Sequence, residues 1–96
     1  MEIAPSPVVA LNRAIAIGER DGAEEGLEAL RAIEDRDRLA KYPFYPAAEG
    51  EMELRRGNWR GAHTNFEAAI GLARNTTERR YLEKRLERCR PSRTNQ

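Results

Sequence analysis

The chain has 96 residues, 40% of them hydrophobic and 34% charged, which suits one small globular domain. Its single cysteine, Cys89, excludes an internal disulfide and is typical of a reducing compartment. No apolar run approaches the roughly 20 residues of a membrane span, and the N-terminus lacks the basic and apolar segments of a signal peptide. We therefore expect a soluble cytoplasmic protein without a membrane partner.

The net charge of +1 conceals an uneven distribution. Residues 1–58 contain 8 Lys and Arg against 12 Asp and Glu, whereas residues 59–96 contain 9 against 4. Most of the positive excess lies in the segment ERRYLEKRLERCR, residues 78–90. Such a segment either orients a domain on a charged partner or forms the solvated face of a helix, and the second interpretation is the more common.

Signals of β-strands are nearly absent, and the first helix is strongly marked. Ser6 followed by Pro7 is an N-cap with proline at the first helical position, which predicts a helix over residues 7–20. At about 100° per residue, the polar side chains of this helix share one arc of about 120°. They are Asn12, Arg13, Glu19 and Arg20. The polar pair inside the run VVALNRAIAI therefore lies along the side of the helix.

The second helix is predicted over residues 22–34, because Asp21 and Glu24 have the spacing of a capping box. Its apolar residues share one face. They are Ala23, Gly26, Leu27, Leu30 and Ile33. The segment EDRDRLAK that follows is predicted to be a charged linker.

Two further helices are predicted over residues 43–56 and 59–73, separated by a break at Gly57 and Asn58. The fourth helix gathers its apolar residues into a narrow stripe. They are Trp59, Ala62, Phe66, Ala69, Ile70 and Ala73.

A fifth helix is predicted over residues 76–90, where Asn75 and Glu78 form a cap-like pair. Its residues Leu82, Leu86 and Cys89 are expected to close the last exposed apolar face. Residues 1–6 are interpreted as an N-terminal arm at a domain boundary, residues 7–90 as the helical domain and residues 91–96 as a disordered tail.

An internal repeat with an offset of 36 residues relates the first two helices to the next two. It matches small residues to small and large to large: Ala14 with Gly50, Gly26 with Ala62, Leu30 with Phe66, and Ile33 with Ala69. Such spacing is typical of stacked helical hairpins. The segment GNWRGAHTNFEAAI resembles the tetratricopeptide (TPR) pattern, although Glu53 replaces an aromatic residue and Arg74 replaces a proline. We predict an all-α fold of about five helices, with two degenerate TPR-like hairpins and a C-terminal capping helix.

Three segments resemble the C-terminal TPR-like region of a group of extracytoplasmic-function (ECF) sigma factors. They are APSPVVALNRAIAIGERDG, YPFYPAAEGEMELRRG and GLARNTTERRYLEKRLE, in the order found in that family. Together they extend from residue 4 to residue 87 with gaps at residues 23–41 and 58–70, and SPVVALNRA is the most specific part. The resemblance implies a cytoplasmic protein of transcription initiation whose partners are RNA polymerase and its own sigma domains. It also implies that the chain is a severed domain beginning at an added Met1, which cannot act as a sigma factor alone.

Catalytic chemistry has little support in the sequence. The single histidine, His63, has no partnered nucleophile, and Cys89 lies on another predicted helix. Metal-ligand spacing and a glycine-rich phosphate loop are both missing. We therefore expect no enzyme activity, no cofactor, no metal and no small-molecule substrate.

Protein binding has better support, because the first helix of each TPR-like hairpin lines a concave groove. By the repeat alignment, the predicted groove residues are Val8, Leu11, Asn12, Arg13, Ile15, Phe44, Ala47, Ala48, Glu51, Leu54 and Arg55. Most are apolar, which is typical of a contact surface. The alternative is that the fifth helix or the N-terminal arm fills the groove.

Secondary contacts are predicted at Tyr42, Tyr45, Arg80 and Lys84. For the segment YPFYP, residues 42–46, the alternative is an aromatic hinge packed between two helices. Nucleic-acid binding by the fifth helix is disfavoured, because glutamates are interleaved with its basic residues. The alternative function is a free-standing TPR-like adaptor that binds peptide segments of a partner, for which only Asn12 suits a carboxylate clamp.

Overall fold

A computed structural model describes residues 6–34 and 36–89 and has five α-helices in this range. They are α1 (Pro7–Asp21), α2 (Ala23–Arg31), α3 (Phe44–Arg55), α4 (Trp59–Leu72) and α5 (Thr76–Glu87). No strand occurs among the described residues, so the predicted all-α class with about five helices is confirmed. The predicted tail, residues 91–96, and all but the last residue of the predicted N-terminal arm lie outside the described residues.

Two helix starts have the caps that the sequence predicts. Ser6 Oγ accepts a hydrogen bond from the Val9 N–H at 3.2 Å, and Asn75 Oδ1 accepts one from the Glu78 N–H at 2.8 Å. Each side chain satisfies a backbone donor that the first turn of a helix leaves without a partner.

The predicted cap at Asp21 is wrong. α1 continues through Asp21, and the chain reverses at Gly22, whose φ of 115° is strained for any residue with a side chain. Gly22 is itself the N-cap of α2 and offers no side-chain bond. The Asp21 carboxylate instead pairs with the Arg20 guanidinium at 2.9 Å.

The predicted linker after α2 is partly ordered as a 3₁₀ helix over Arg36–Leu39. Leu39 is buried there, and Ile33 is buried although α2 ends at Arg31. The apolar pattern therefore continues beyond the helix itself, which is why the sequence predicts α2 three residues too long.

The helices pack as two consecutive hairpins, α1 with α2 and α3 with α4, and α5 packs on α4. All eight residues matched by the 36-residue repeat are buried. The core has two clusters that meet at α3, where Ala48 belongs to the first and Ala47 to the second. Leu82 of α5 and Cys89, which lies just beyond the end of α5, are fully buried in the second cluster, as the sequence predicts.

Small residues mark the close approaches between helices. A Cβ atom on Gly26 would lie 2.7 Å from the Cα of Gly18, so the α1 and α2 backbones nearly touch there. In the second hairpin, a Cβ on Gly50 would lie 2.7 Å from the Phe66 ring. A glycine therefore allows close helix packing in each hairpin, although the repeat does not match the two close approaches to each other.

The two departures from the TPR pattern have structural roles. The nearly buried Glu53 carboxylate accepts hydrogen bonds from Asn58 Nδ2 at 3.0 Å and Arg56 Nη1 at 3.1 Å, which ties the turn between α3 and α4. Arg74 donates its backbone N–H to Glu78 Oε1 at 2.9 Å. Proline, usual at that position of the repeat, has no such donor.

Candidate protein-interaction groove

A groove lined by α1, α3 and α5 encloses a space of about 360 Å³. Its apolar surface is formed by Ile15, Phe44, Ala47, Ala48 and Met52. Its polar and aromatic lining is formed by Glu19, Glu51, Arg55, Tyr81 and Arg85. We call these ten residues the groove.

The groove is concave because α3 presents two small side chains between larger neighbours. Ala47 and Ala48 reach only one carbon beyond the backbone, whereas Phe44 lies one turn before them and Ile15 approaches from α1. Ala47 and Ala48 also belong to different core clusters, so the groove follows the line where the clusters meet.

Charged residues of the groove form ion pairs between its helices. The Arg85 guanidinium of α5 makes a bidentate pair with the Glu51 carboxylate of α3, at 2.5 and 2.6 Å. This hydrogen bonding raises the pKa of Arg85 above its ordinary value. A looser pair joins Arg55 Nη2 of α3 to Glu19 Oε2 of α1 at 3.8 Å. A cation and an anion therefore face each other on both sides of α3.

One end of the groove is aromatic. The Phe44 ring lies 6.4 Å from the Tyr81 ring in a tilted arrangement and 5.6 Å from the Tyr42 ring in an edge arrangement. Tyr81 is 51% exposed, so it offers a large amphipathic surface beside the groove.

The structure brings together six of the predicted groove residues: Ile15, Phe44, Ala47, Ala48, Glu51 and Arg55. They meet because they lie on facing sides of α1 and α3, as the repeat alignment requires.

Leu11 does not line the groove, because this side chain is buried within the first core cluster. Leu54 packs against the second cluster and does not line the groove. Val8 is exposed on α1 but also lies outside the groove lining. Asn12 and Arg13 are exposed, and neither makes a side-chain hydrogen bond within the described residues.

Sequence reasoning missed Glu19, Met52, Tyr81 and Arg85 as groove residues. Tyr81 and Arg85 are four residues apart and share a face of α5, which was a usable signal. The sequence does not show that this face of α5 approaches α3, because that contact depends on tertiary packing. α5 forms one wall of the groove and does not fill it, in contrast to the alternative in which the fifth helix fills the groove.

The segment YPFYP is packed, which favours the hinge interpretation over a free secondary contact. Tyr45 donates its hydroxyl hydrogen to the Leu30 carbonyl at 3.3 Å, and the Arg74 guanidinium lies 5.4 Å from the centre of the Tyr42 ring. Phe44 alone in this segment lines the groove. Arg80 and Lys84, the other secondary residues, are exposed on α5.

Neither His63 nor Cys89 has the environment of a catalytic group. His63 Nδ1 lies 3.6 Å from the exposed Glu67 carboxylate one turn away. Burial raises the pKa of the Cys89 thiol, which opposes formation of a reactive thiolate. No three metal-binding side chains are grouped within residues 6–34 and 36–89. None of the helices in this range is long and apolar enough to cross a membrane.

No protein-family model matches the chain, and no solved structure matches it. A protein of Rhizobium meliloti (strain 1021), described only as uncharacterized, is 37% identical to it over 83 residues. The match covers 86% of this chain and 19% of the Rhizobium protein. The chain thus spans about a fifth of the length of the relative that it resembles.

Proposed function

We propose that this chain is a non-catalytic protein-interaction domain and acts as the regulatory C-terminal module of a cytoplasmic ECF-class sigma factor. The observation that carries the proposal is the groove, whose apolar surface stays open although all five helices have packed. Concave apolar surfaces with a few fixed polar groups are typical of binding sites.

The sigma-factor part of the proposal rests on where the resemblance falls. Its three segments, residues 4–22, 42–57 and 71–87, contain α1, α3 and α5. These are the three helices that line the groove. The similarity therefore concentrates on the helices that would contact the sigma domains or RNA polymerase.

The Rhizobium relative agrees with a modular role. About four-fifths of that protein lies outside the match, which is the arrangement of a helical module joined to other domains. The half-buried His63, whose neighbour is the exposed Glu67, and the buried Cys89 support a domain without a reaction of its own.

The proposal is tested by measuring binding of the purified chain to ECF sigma domains, to RNA polymerase core enzyme and to their complex. Ile15→Gln combined with Tyr81→Ala changes two groove side chains while leaving the fully buried residues intact. The matched control is Trp59→Ala, which removes an aromatic residue that is 37% exposed on α4 and lies outside the groove. We expect saturable binding that the groove variant weakens roughly tenfold or more and the control leaves unchanged.

A lack of binding to all three probes would contradict the sigma-factor role, and equal binding by both variants would contradict the groove. The alternative, an adaptor that clamps a C-terminal carboxylate, has weaker support because Leu11 is buried and Arg55 and Arg85 are already paired. A peptide that loses affinity when its C-terminus is amidated would favour the adaptor.

A further inference from the structure

The groove has no net charge of its own. Its four charged side chains cancel as two pairs, Glu51 with Arg85 and Glu19 with Arg55. Any electrostatic preference for a partner must therefore come from residues beside the groove.

Such residues lie on α5 as an exposed basic stripe of Arg80, Lys84 and Arg88. Residues four apart share a helix face, so the three cations run along α5 at intervals of about 6 Å. The end of the stripe nearest the groove is Arg88, the C-cap of α5, which lies about 20° around the helix from Tyr81, followed by Lys84 at about 60° and Arg80 at about 100°. None of the three forms a salt bridge with any described residue.

The acidic residues of α5 offset only part of this positive charge. Glu78 is held by Arg74. Glu83 lies about 160° around the helix from Tyr81, and Glu87 lies about 120° from it, close to Arg80. Without the paired Glu78 and Arg85, residues 76–89 have four cations, which include Arg79, against two anions.

We infer that the groove and the basic stripe together bind an acidic protein segment that places apolar anchor side chains over Ala47 and Ala48. This inference rests on the proposed function and specifies the chemistry of the partner. An amphipathic helix with Asp or Glu one turn apart would match the spacing of Arg80, Lys84 and Arg88.

The dimensions of the groove agree with such a partner. An apolar cavity of about 150 Å³ is enough to hold benzene, so 360 Å³ has room for two large side chains. A nucleic acid fits less well, because the groove beside the stripe has an apolar surface and its charged side chains cancel in pairs, so it offers no net positive charge to phosphates.

The test is a selection of displayed random peptides of about 16 residues on the immobilised 96-residue chain. The enriched peptides are then synthesised, and their Kd values are measured by fluorescence anisotropy at about 50 mM and about 300 mM NaCl. We expect enriched peptides with net negative charge and at least two large apolar residues. Their affinity should fall at the higher salt concentration.

The stripe variant is Arg80→Glu, Lys84→Glu and Arg88→Glu together. Its matched control is Arg38→Glu, Lys41→Glu and Arg60→Glu, which makes the same charge change at exposed positions elsewhere. We expect the Kd to increase about tenfold or more for the stripe variant and to change less than about twofold for the control. Circular dichroism checks that each protein is folded, and Lys84→Glu alone replaces the stripe variant if that protein is unfolded.

Other outcomes would overturn the inference in distinguishable ways. If the enriched peptides have no acidic bias and only the Ile15→Gln and Tyr81→Ala variant loses their binding, the acidic partner would be overturned and groove binding would remain. Binding of a DNA duplex that the stripe variant abolishes would assign the stripe to phosphates instead. Self-association that the stripe variant abolishes would make a second copy the occupant. No enriched peptide at all would contradict both the inference and the groove of the proposed function.

Discussion

Arg85 on α5 and Glu51 on α3 face each other across the groove with two hydrogen bonds, and their side chains are 24% and 27% exposed. This pair joins α5 to the first helix of the second hairpin. α5 also packs on α4, and its fully buried Leu82 belongs to the second core cluster. The wall of the groove is therefore fixed by both an ion pair and an apolar contact.

Arg85→Ala should lower the free energy of unfolding by about 1–3 kcal/mol, because it leaves the partly buried Glu51 carboxylate without its charged partner. Arg88→Ala, an exposed arginine on the same helix, should change it by less than about 0.5 kcal/mol. Urea denaturation of Arg85→Ala, Glu51→Gln and the double variant measures the coupling. Strictly additive effects would show that the pair does not stabilise the fold.

Phe66→Ala should cost roughly 3–5 kcal/mol, because Phe66 is fully buried at the centre of the second core cluster. Domains of this size have only about 5–15 kcal/mol in total, so the variant should melt at a much lower temperature or be partly unfolded. Thermal denaturation followed by circular dichroism provides the measurement. An unchanged melting temperature would remove Phe66 from the core and contradict the repeat alignment.

Two glycine-to-alanine substitutions should change the stability of the protein in opposite directions. Gly50→Ala would place a methyl group 2.7 Å from Cε2 of the packed Phe66 ring and should destabilise the protein by about 1–3 kcal/mol. Gly71→Ala on α4 meets no atom within 4 Å and should stabilise it by up to about 1 kcal/mol. The comparison is made by chemical denaturation, and stabilisation by Gly50→Ala would contradict the described contact between α3 and α4.

Glu78→Gln should reduce stability at neutral pH and have less effect in acid. Hydrogen bonds from the Arg74 side chain and backbone hold the pKa of Glu78 below its ordinary value of 4.5. The unfolded state therefore binds the proton first as pH falls, so the stabilisation is present above 4.5 and is lost as pH falls through the folded-state pKa. The melting temperatures of the parent protein and of Glu78→Gln, measured between neutral and acidic pH, should converge as the pH falls. A difference in melting temperature that stays constant across that range would contradict the ion pair. Glu83→Gln is the control, because Glu83 is exposed on the same helix.

Asn12→Ala with Arg13→Ala should leave the stability of the chain within about 0.5 kcal/mol of the parent, since both side chains are exposed. The same double variant should weaken binding to sigma domains or RNA polymerase by about 1–3 kcal/mol, if these polar groups bond to a partner. Thermal denaturation and binding titrations separate the two effects. Unfolding of the double variant would show that Asn12 and Arg13 stabilise the fold. Unchanged binding would show that they are ordinary solvated residues of α1.

The helices and most of the core could be predicted from sequence, because apolar periodicity and caps are local signals. Ser6 and Asn75 are caps in the structure, and Phe66 is buried as the stripe on α4 predicts. Asp21 failed as a cap because a backbone property of its neighbour Gly22 determines where α1 ends. A capping-box spacing alone does not contain that information.

The groove could be predicted only in part, because it depends on which helices face each other across the domain. The repeat alignment placed Ile15 and Phe44 correctly. It could not distinguish Leu11, which packs inward, from Ile15, which is one turn further along α1 and lines the groove. The contribution of α5 follows from tertiary packing and from the pair between Arg85 and Glu51, which are 34 positions apart.

The division of the core at α3 has a consequence for the cooperativity of unfolding. Solenoid proteins commonly lose terminal repeats in steps, because each repeat contacts only its neighbours. Here Ala47 and Ala48 are adjacent in sequence but belong to different core clusters. Because of this, α3 cannot detach without exposing both clusters to solvent. Backbone amides of α3 should therefore be the slowest to exchange with solvent, and α1 and α5 at the ends of the stack should open first. The floor of the groove would then persist while its outer walls fluctuate.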